Sequence, residues 1–184
     1  MIKKLLEFYK SPLLLSLALS VVLITARLES KVPYIIFIFL GALLGTFLLE
    51  VDRLLTFLVF EPKSTLSLEF KSLIKERNFE GALTFFEKQK PVNGGKTLLK
   101  SAVFQVILAV LSLYICMTTI NPFAPALTLS ALSQSFYYQL RDYQEKSDIS
   151  DWFLVLKERP TKNFYLGYFI VLGLVFVASL LSVV

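Results

Sequence analysis

At 184 residues, with 55% hydrophobic and 14% aromatic content and a mean hydropathy of +0.66, the chain is too apolar for an ordinary soluble domain and has room for one compact bundle. Its formal charge of +5 comes from lysines and arginines mixed with acids between apolar runs, the pattern of cytoplasmic loops and not of a nucleic-acid-binding stripe. The single cysteine, Cys116, excludes an intramolecular disulfide framework and a cysteine zinc motif, and the absence of histidine excludes a Ser-His-Asp or Cys-His arrangement.

The first apolar run, Pro12 to Ala26, follows Lys3, Lys4 and Lys10. This is the layout of a signal peptide or of a first transmembrane helix, and without a clear small-x-small cleavage site before Arg27 a retained helix is expected. A second run extends from Val32 to Leu49, meets the charged box Glu50-Val51-Asp52-Arg53, and resumes from Leu54 to Phe60 before Pro62. Between 63 and 100 the chain is polar, yet Leu66, Phe70, Leu73 and Ile74, then Phe79, Ala82, Leu83 and Phe86, recur at helical spacing. These predict a small cytoplasmic hairpin, with Asn78 capping its second helix and a turn over Pro91 to Gly95.

A third span is predicted from Ser101 to Ile120, and Asn121 to Pro125 turns the chain into a fourth segment ending near Leu140. That fourth segment carries Thr128, Ser130, Ser133, Gln134 and Ser135, so it needs shelter inside the bundle. After the mixed-charge stretch from Arg141 to Lys162, Asn163 to Val184 is the clearest span. The chain therefore reads as a single all-α membrane domain of four or five transmembrane helices, with 63–100 as an amphipathic insertion. With five spans, the basic segments fall on one side, giving a plasma (inner) membrane protein with a cytoplasmic amino terminus.

Three constellations stand out. Gly41-Ala42-Leu43-Leu44-Gly45 is a Gly-x-x-x-Gly motif, which implies close helix packing within the bundle or in a homodimer. Ser101, Gln105, Ala109, Ser112, Cys116 and Thr119 form a small and polar stripe at spacings of three and four, suited to a helix interface or to a substrate path. Glu50 and Arg53 lie one helical turn apart and can pair at the membrane interface. Adjacent Glu50 and Asp52 do not share a helix face, and no feature singles out a nucleophile for a serine-lysine pair with Lys100.

Read in order, these segments resemble the LexA-regulated, membrane-bound metal-dependent hydrolases, whose helices carry an opening histidine, an Asp-x-Asp-His box, a His-Ser pair and a His-x-x-x-Asp motif. Ser11-Pro12-Leu13-Leu14-Leu15-Ser16 resembles the opening, with Pro12 at the histidine. Glu50-Val51-Asp52-Arg53 stands at the Asp-x-Asp-His box and Lys100-Ser101 at the His-Ser pair. The segment Ser130 to Tyr138 follows the last motif, with Gln134 and Tyr138 at its ligands. The resemblance implies a former metal site at Pro12, Glu50, Asp52, Arg53, Lys100, Gln134 and Tyr138. Arginine and protonated lysine offer no lone pair to a metal, so a metal-free, non-catalytic protein is expected, without cofactor, whose partners are lipid or another membrane protein. An active hydrolase with partial metal binding and a small transport component are the rival expectations.

Overall fold

The structure is a computed structural model that describes residues 2–55, 65–78, 81–82, 85, 101–146, 149–153 and 160–183. The expectations for Pro62, for the Pro91 to Gly95 turn and for Lys100 lie outside these residues. The described part is all-helical: α1 (Ile2–Ala26), α2 (Val32–Leu55), α3 (Thr65–Lys75), α4 (Ala102–Thr118), α5 (Phe123–Lys146) and α6 (Lys162–Leu181), with a short 3-10 turn at Ser150–Trp152. α6 is the one described helix long and apolar enough to cross a membrane, with a mean hydropathy of 2.3. Lys10–Ala26, Val32–Leu48 and Ala102–Thr118 are shorter apolar segments.

The boundaries depart from the sequence reading in ways the caps explain. α1 begins well before the apolar run, so Pro12 lies inside it. Ser101 is the N-cap of α4, its hydroxyl accepting from the Phe104 amide at 3.2 Å, and Thr119 is the extended C-cap residue, so the stripe's two ends flank the helix instead of lying on it. Pro122 and Pro125 occupy the entry to α5, where the first amides have no intrahelical acceptor and a missing N–H costs nothing. α5 then continues past Leu140 to Lys146.

Five long helices alternate in direction. Gly41 of α2 lies against the Phe123 carbonyl and Gly45 against the Leu127 carbonyl, an advance of four residues on each helix, so α2 and α5 run parallel. Gln134 meets Pro12 while Ser130 meets Ser16, so α1 runs antiparallel to α5. The short 119–122 turn reverses α4 against α5, and α6 follows α4: Tyr168 meets Ala102, and Leu172 packs with Leu108 and Ala109. α1, α4 and α6 therefore point one way and α2 and α5 the other.

α5 sits in the centre, touching α1, α2, α4 and α6, with its most extensive contact to α2. That contact rests on missing side chains. A Cβ on Gly41 would overlap the Phe123 oxygen, and one on Gly45 would overlap the Leu127 oxygen and lie 2.8 Å from Ser130 Cβ. At one end of the bundle the 3-10 turn folds inward, burying Ile149, Trp152 and Phe153 against Ala102, Tyr138 and Tyr165. Trp152 Nε1 donates to Asp142 Oδ2 at 3.0 Å, and Phe153 stacks on Tyr165 with ring centroids 5.7 Å apart. At the other end Arg27 Nη2 donates to the Ile120 carbonyl at 3.1 Å, tying the α1–α2 turn to the α4–α5 turn.

Of the hairpin, α3 and the helical residues Gly81, Ala82 and Phe85 are described. Phe70, Ala82 and Phe85 form a separate small core, and Asn78 Oδ1 accepts from the Gly81 amide at 2.9 Å, the expected cap. α1 and α3 both end in a Schellman motif: Glu29 N donates to Ile24 O and Leu28 N to Thr25 O, while Asn78 N donates to Leu73 O and Arg77 N to Ile74 O. The left-handed residue is Leu28 (φ 47°) in one and Arg77 (φ 54°) in the other, positions that favour glycine. Leu28 is 86% exposed and packs on little.

Two outcomes follow from these contacts. Leu28→Gly relieves the left-handed strain and raises stability by up to about 1 kcal/mol, read as a higher midpoint of thermal unfolding in detergent. Gly45→Ile drives a side chain into the α5 backbone and lowers stability by about 1–3 kcal/mol or more.

Candidate functional site

Along the α1–α2–α5 seam, four polar side chains meet where apolar packing surrounds them. Ser16, Thr46, Ser130 and Gln134 are all fully or nearly fully buried. Ser16 and Thr46 hydroxyls are in direct hydrogen-bond contact, and Ser16 Oγ lies 3.3 Å from Ser130 Oγ. Ser130 Oγ donates to the Ala42 carbonyl at 2.6 Å, the same oxygen that accepts from Thr46 Oγ at 2.9 Å. Gln134 Nε2 donates to the Pro12 carbonyl at 2.7 Å and to Ser16 Oγ at 3.3 Å.

Each member reaches this point for a local reason. Ser16 follows Pro12 by one turn and bonds back to its carbonyl at 3.2 Å, and Ser130 and Gln134 are one turn apart on the same face of α5. Thr46 follows Gly45, whose close approach to α5 brings the hydroxyl within reach. The groups are all neutral: three hydroxyls that both donate and accept, and one amide using its nitrogen. Such a set can hold three helices in register. It offers no acid or base.

The structure brings Pro12 and Gln134 together, residues 122 apart in sequence. It also carries the backbone of three others, and Tyr138, toward the same end of the bundle. The backbone of Glu50, Asp52 and Arg53 lies in the last turns of α2, beyond Thr46, and the parallel α2–α5 pairing carries those turns toward the 134–138 level of α5. Their side chains, and hence the Glu50–Arg53 pairing, fall outside the described residues. Tyr138 is buried beside Ala102. The Arg141 guanidinium sits 5.3 Å over the Tyr138 ring and 3.6 Å from Glu145.

The stripe faces inward. Gln105, Ala109, Ser112 and Cys116 are buried on α4, with Ser101 and Thr119 half-buried at its two ends. Gln105 Oε1 accepts from Tyr168 Oη at 2.7 Å, Ser112 bonds back to the Ala109 carbonyl, Ala109 packs on Ala131 and Leu132, and Cys116 joins the core with Leu129. The stripe is thus an interface with α5 and α6. Not all of the interior polarity is used: Gln105 Nε2 of the stripe, and Gln134 Oε1, Ser135 Oγ and both amide ends of Gln139 on α5, are buried without a hydrogen-bond partner, each at a cost of about 1–3 kcal/mol.

Sequence reasoning did not single out Ser16, Thr46, Gln139 or Tyr168. Ser16 and Ser20, spaced four apart in an otherwise apolar run, and Thr46 directly after the Gly-x-x-x-Gly motif were the available signals. Gln139 lies four residues after Ser135, on the buried side of α5. Comparison with known proteins places the chain in no group: no family model matches it, and neither a curated protein nor a solved structure matches it.

Replacement of Gln134 by Ala removes its two bonds to α1 and lowers stability by about 1 kcal/mol, the scale of a net intramolecular hydrogen bond. Gln134→Asn, one methylene shorter, leaves the Pro12 carbonyl unreached and loses a comparable amount. Both are read as shifts in the unfolding midpoint.

Proposed function

We propose that the chain is a five-span inner-membrane protein with a cytoplasmic amino terminus, metal-free and non-catalytic, that acts through lipid or a membrane protein partner. The observation that carries the membrane part is the inversion of polarity. The helix with the most buried polar side chains, α5, lies at the centre, while the outer faces expose Leu14, Leu17 and Val21 of α1, Ile36, Leu40 and Leu44 of α2, Val106, Val110 and Met117 of α4, and Leu166, Ile170 and Leu174 of α6. An apolar exterior of that extent exceeds what monomeric soluble proteins expose.

The alternating helix directions supply the topology. Of the 19 lysines and arginines, all but Arg27 and Lys31 fall by sequence at the end that holds the amino terminus, the α2–α4 connection and the α5–α6 connection. The positive-inside rule makes that end cytoplasmic and sends the carboxyl terminus outward.

Support for the non-catalytic part comes from the donor set. Two positions that the family resemblance assigns to metal ligands, Pro12 and Gln134, bond to each other through a backbone carbonyl and an amide N–H. The amide nitrogen, which donates its proton, is no ligand, and the remaining Gln134 Oε1 is a hard carbonyl oxygen in place of the imidazole nitrogen that the family's site uses. In this reading Glu50 and Asp52 are neutralised by Arg53 and Lys100, a direct replacement of cation by cation at the former ligand position.

A second reading, a path for a small polar solute, is favoured by one observation: the unpartnered Gln105 Nε2, Ser135 Oγ and Gln139 amide in the bundle interior. It requires solute flux in proteoliposomes that falls with Gln105→Leu.

Two measurements check the first reading. In a Cys116→Ala background, a cysteine at Ser30 reacts with an impermeant maleimide on intact cells and one at Gln144 reacts only after permeabilisation; the opposite pattern inverts the topology. Purified protein carries no stoichiometric transition metal; zinc, manganese or iron at one per chain, lost with Asp52→Ala, would sink the metal-free assignment.

A further inference from the structure

A groove of about 390 Å³ runs between α1, α5 and α6, walled by Leu15, Leu19 and Val22, by Leu132, Phe136 and Leu140, and by Leu172, Phe176 and Leu180. Its volume lies within the ~300–1,000 Å³ range of ligand pockets. It is lined almost entirely by carbon, and it stands half-open to the outside of the bundle. Two small residues keep it wide. Ala18 and Gly173 both line it, and a Cβ built on Gly173 meets nothing within 4 Å.

We infer that this groove binds one hydrocarbon tail of an anionic phospholipid from the leaflet at the basic end of the bundle. The inference rests on the membrane reading above and names the lipid that reading invokes. Length fits one extended tail: α5 and α6 are antiparallel and their linings meet at Leu132 and Leu172, running about 12 Å toward the basic end on α5 and about 12 Å the other way on α6, together within a ~30 Å hydrocarbon core. The wall chemistry fits hydrocarbon, because Ser133, one of the few polar lining groups, already donates to the Ser130 carbonyl at 2.8 Å.

Charge selects the headgroup. On α5 the groove's lining ends at Leu140, and Arg141 follows it. The antiparallel α1–α5 pairing, fixed by Pro12 and Gln134, brings exposed Lys10 of α1 to that same end, and exposed Lys162 begins α6 there. Acids at that end are engaged in part: Glu145 pairs with Arg141, and Asp142 accepts from Trp152. A phosphate at the mouth meets net positive charge, while a tail entering from the opposite end would pass Val22 and Leu180 toward Arg27 and Lys31, where Arg27 already donates to the Ile120 carbonyl and Glu29 offsets one charge.

The test compares full-length wild type with Gly173→Leu and Ala18→Leu, which fill the groove from opposite walls. Gly167→Leu is the control: it lies on the same helix, also with nothing within 4 Å of a built Cβ, but is not among the groove's lining residues. Each protein is purified in mild detergent, offered phosphatidylglycerol or phosphatidylcholine, and examined by native mass spectrometry and thermal unfolding. Wild type and the control are expected to retain phosphatidylglycerol stoichiometrically and to unfold at higher temperature with it. Both groove variants, with unfolding midpoints in lipid-free detergent at or above wild type, are expected to bind it about tenfold more weakly. Equal retention by the groove variants would overturn the site, and equal retention of phosphatidylcholine would overturn the anionic head. A dimer in wild type that dissociates in both groove variants would assign the groove to a second copy instead. Release of the chain from membranes by alkaline carbonate marks failure of the membrane reading itself, separable from these outcomes.

Discussion

The contact on which the other helices depend is the backbone-to-backbone approach of α2 and α5. Gly41 and Gly45 let the α2 chain lie against the Phe123 and Leu127 carbonyls, with no room for a Cβ. That approach places Thr46 and the Ala42 carbonyl beside Ser130, and through them Ser16 and Gln134. Polar side chains in an apolar surrounding are costly without partners, and these four find partners across the seam. α1 is therefore fixed against α2 and α5 by hydrogen bonds, while α4 and α6 pack on the remaining faces of α5 through Leu108, Ala131, Leu132 and Leu172.

This arrangement separates two kinds of stabilisation. The α1–α2–α5 seam uses small residues and hydroxyls, which give register and close packing, beside an apolar cluster of Leu19, Leu23, Ile38 and Leu129. The α4–α5–α6 side and the aromatic end built on Tyr138, Trp152, Phe153 and Tyr165 use bulk. α1 and α6 do not close fully over α5, and the gap between them is the groove whose floor is Leu132, Ser133 and Phe136. A polar central helix and a carbon-lined opening beside it follow from one placement: α5 turns Ser130 and Gln134 to the seam and Phe136 and Leu140 to the groove.

Much of the fold was legible because periodicity and punctuation are local. The glycine spacing indicated a close helix contact, the Asn121 to Pro125 segment indicated a turn, and the serines and glutamine of 128–135 indicated a place inside the bundle. Asn78 marked a cap by residue type alone. The helix ends were less legible. α1 runs through Pro12 and α5 runs past Leu140, because amphipathic turns beyond an apolar run remain helical when tertiary contacts hold them. The partners of Ser16 and Thr46 were not legible at all, since a hydroxyl in an apolar run gives no sign of which distant helix will answer it. The bond from Gln134 to the Pro12 carbonyl was equally illegible, since it joins residues 122 positions apart and uses a backbone acceptor that any residue type would supply.

The account stands on α1 and α5 meeting through their hydroxyls, and a disulfide reports that meeting directly. Ser16→Cys and Ser130→Cys, combined with Cys116→Ala, put two sulfurs where the Oγ atoms lie 3.3 Å apart, although the residues are separated by 114 positions in the chain. Oxidation of the protein in native membranes with a permeant copper catalyst is predicted to give a monomer with an internal disulfide, seen as faster migration without reductant. Cysteines that stay free, or that join two chains, would contradict a bundle built around α5.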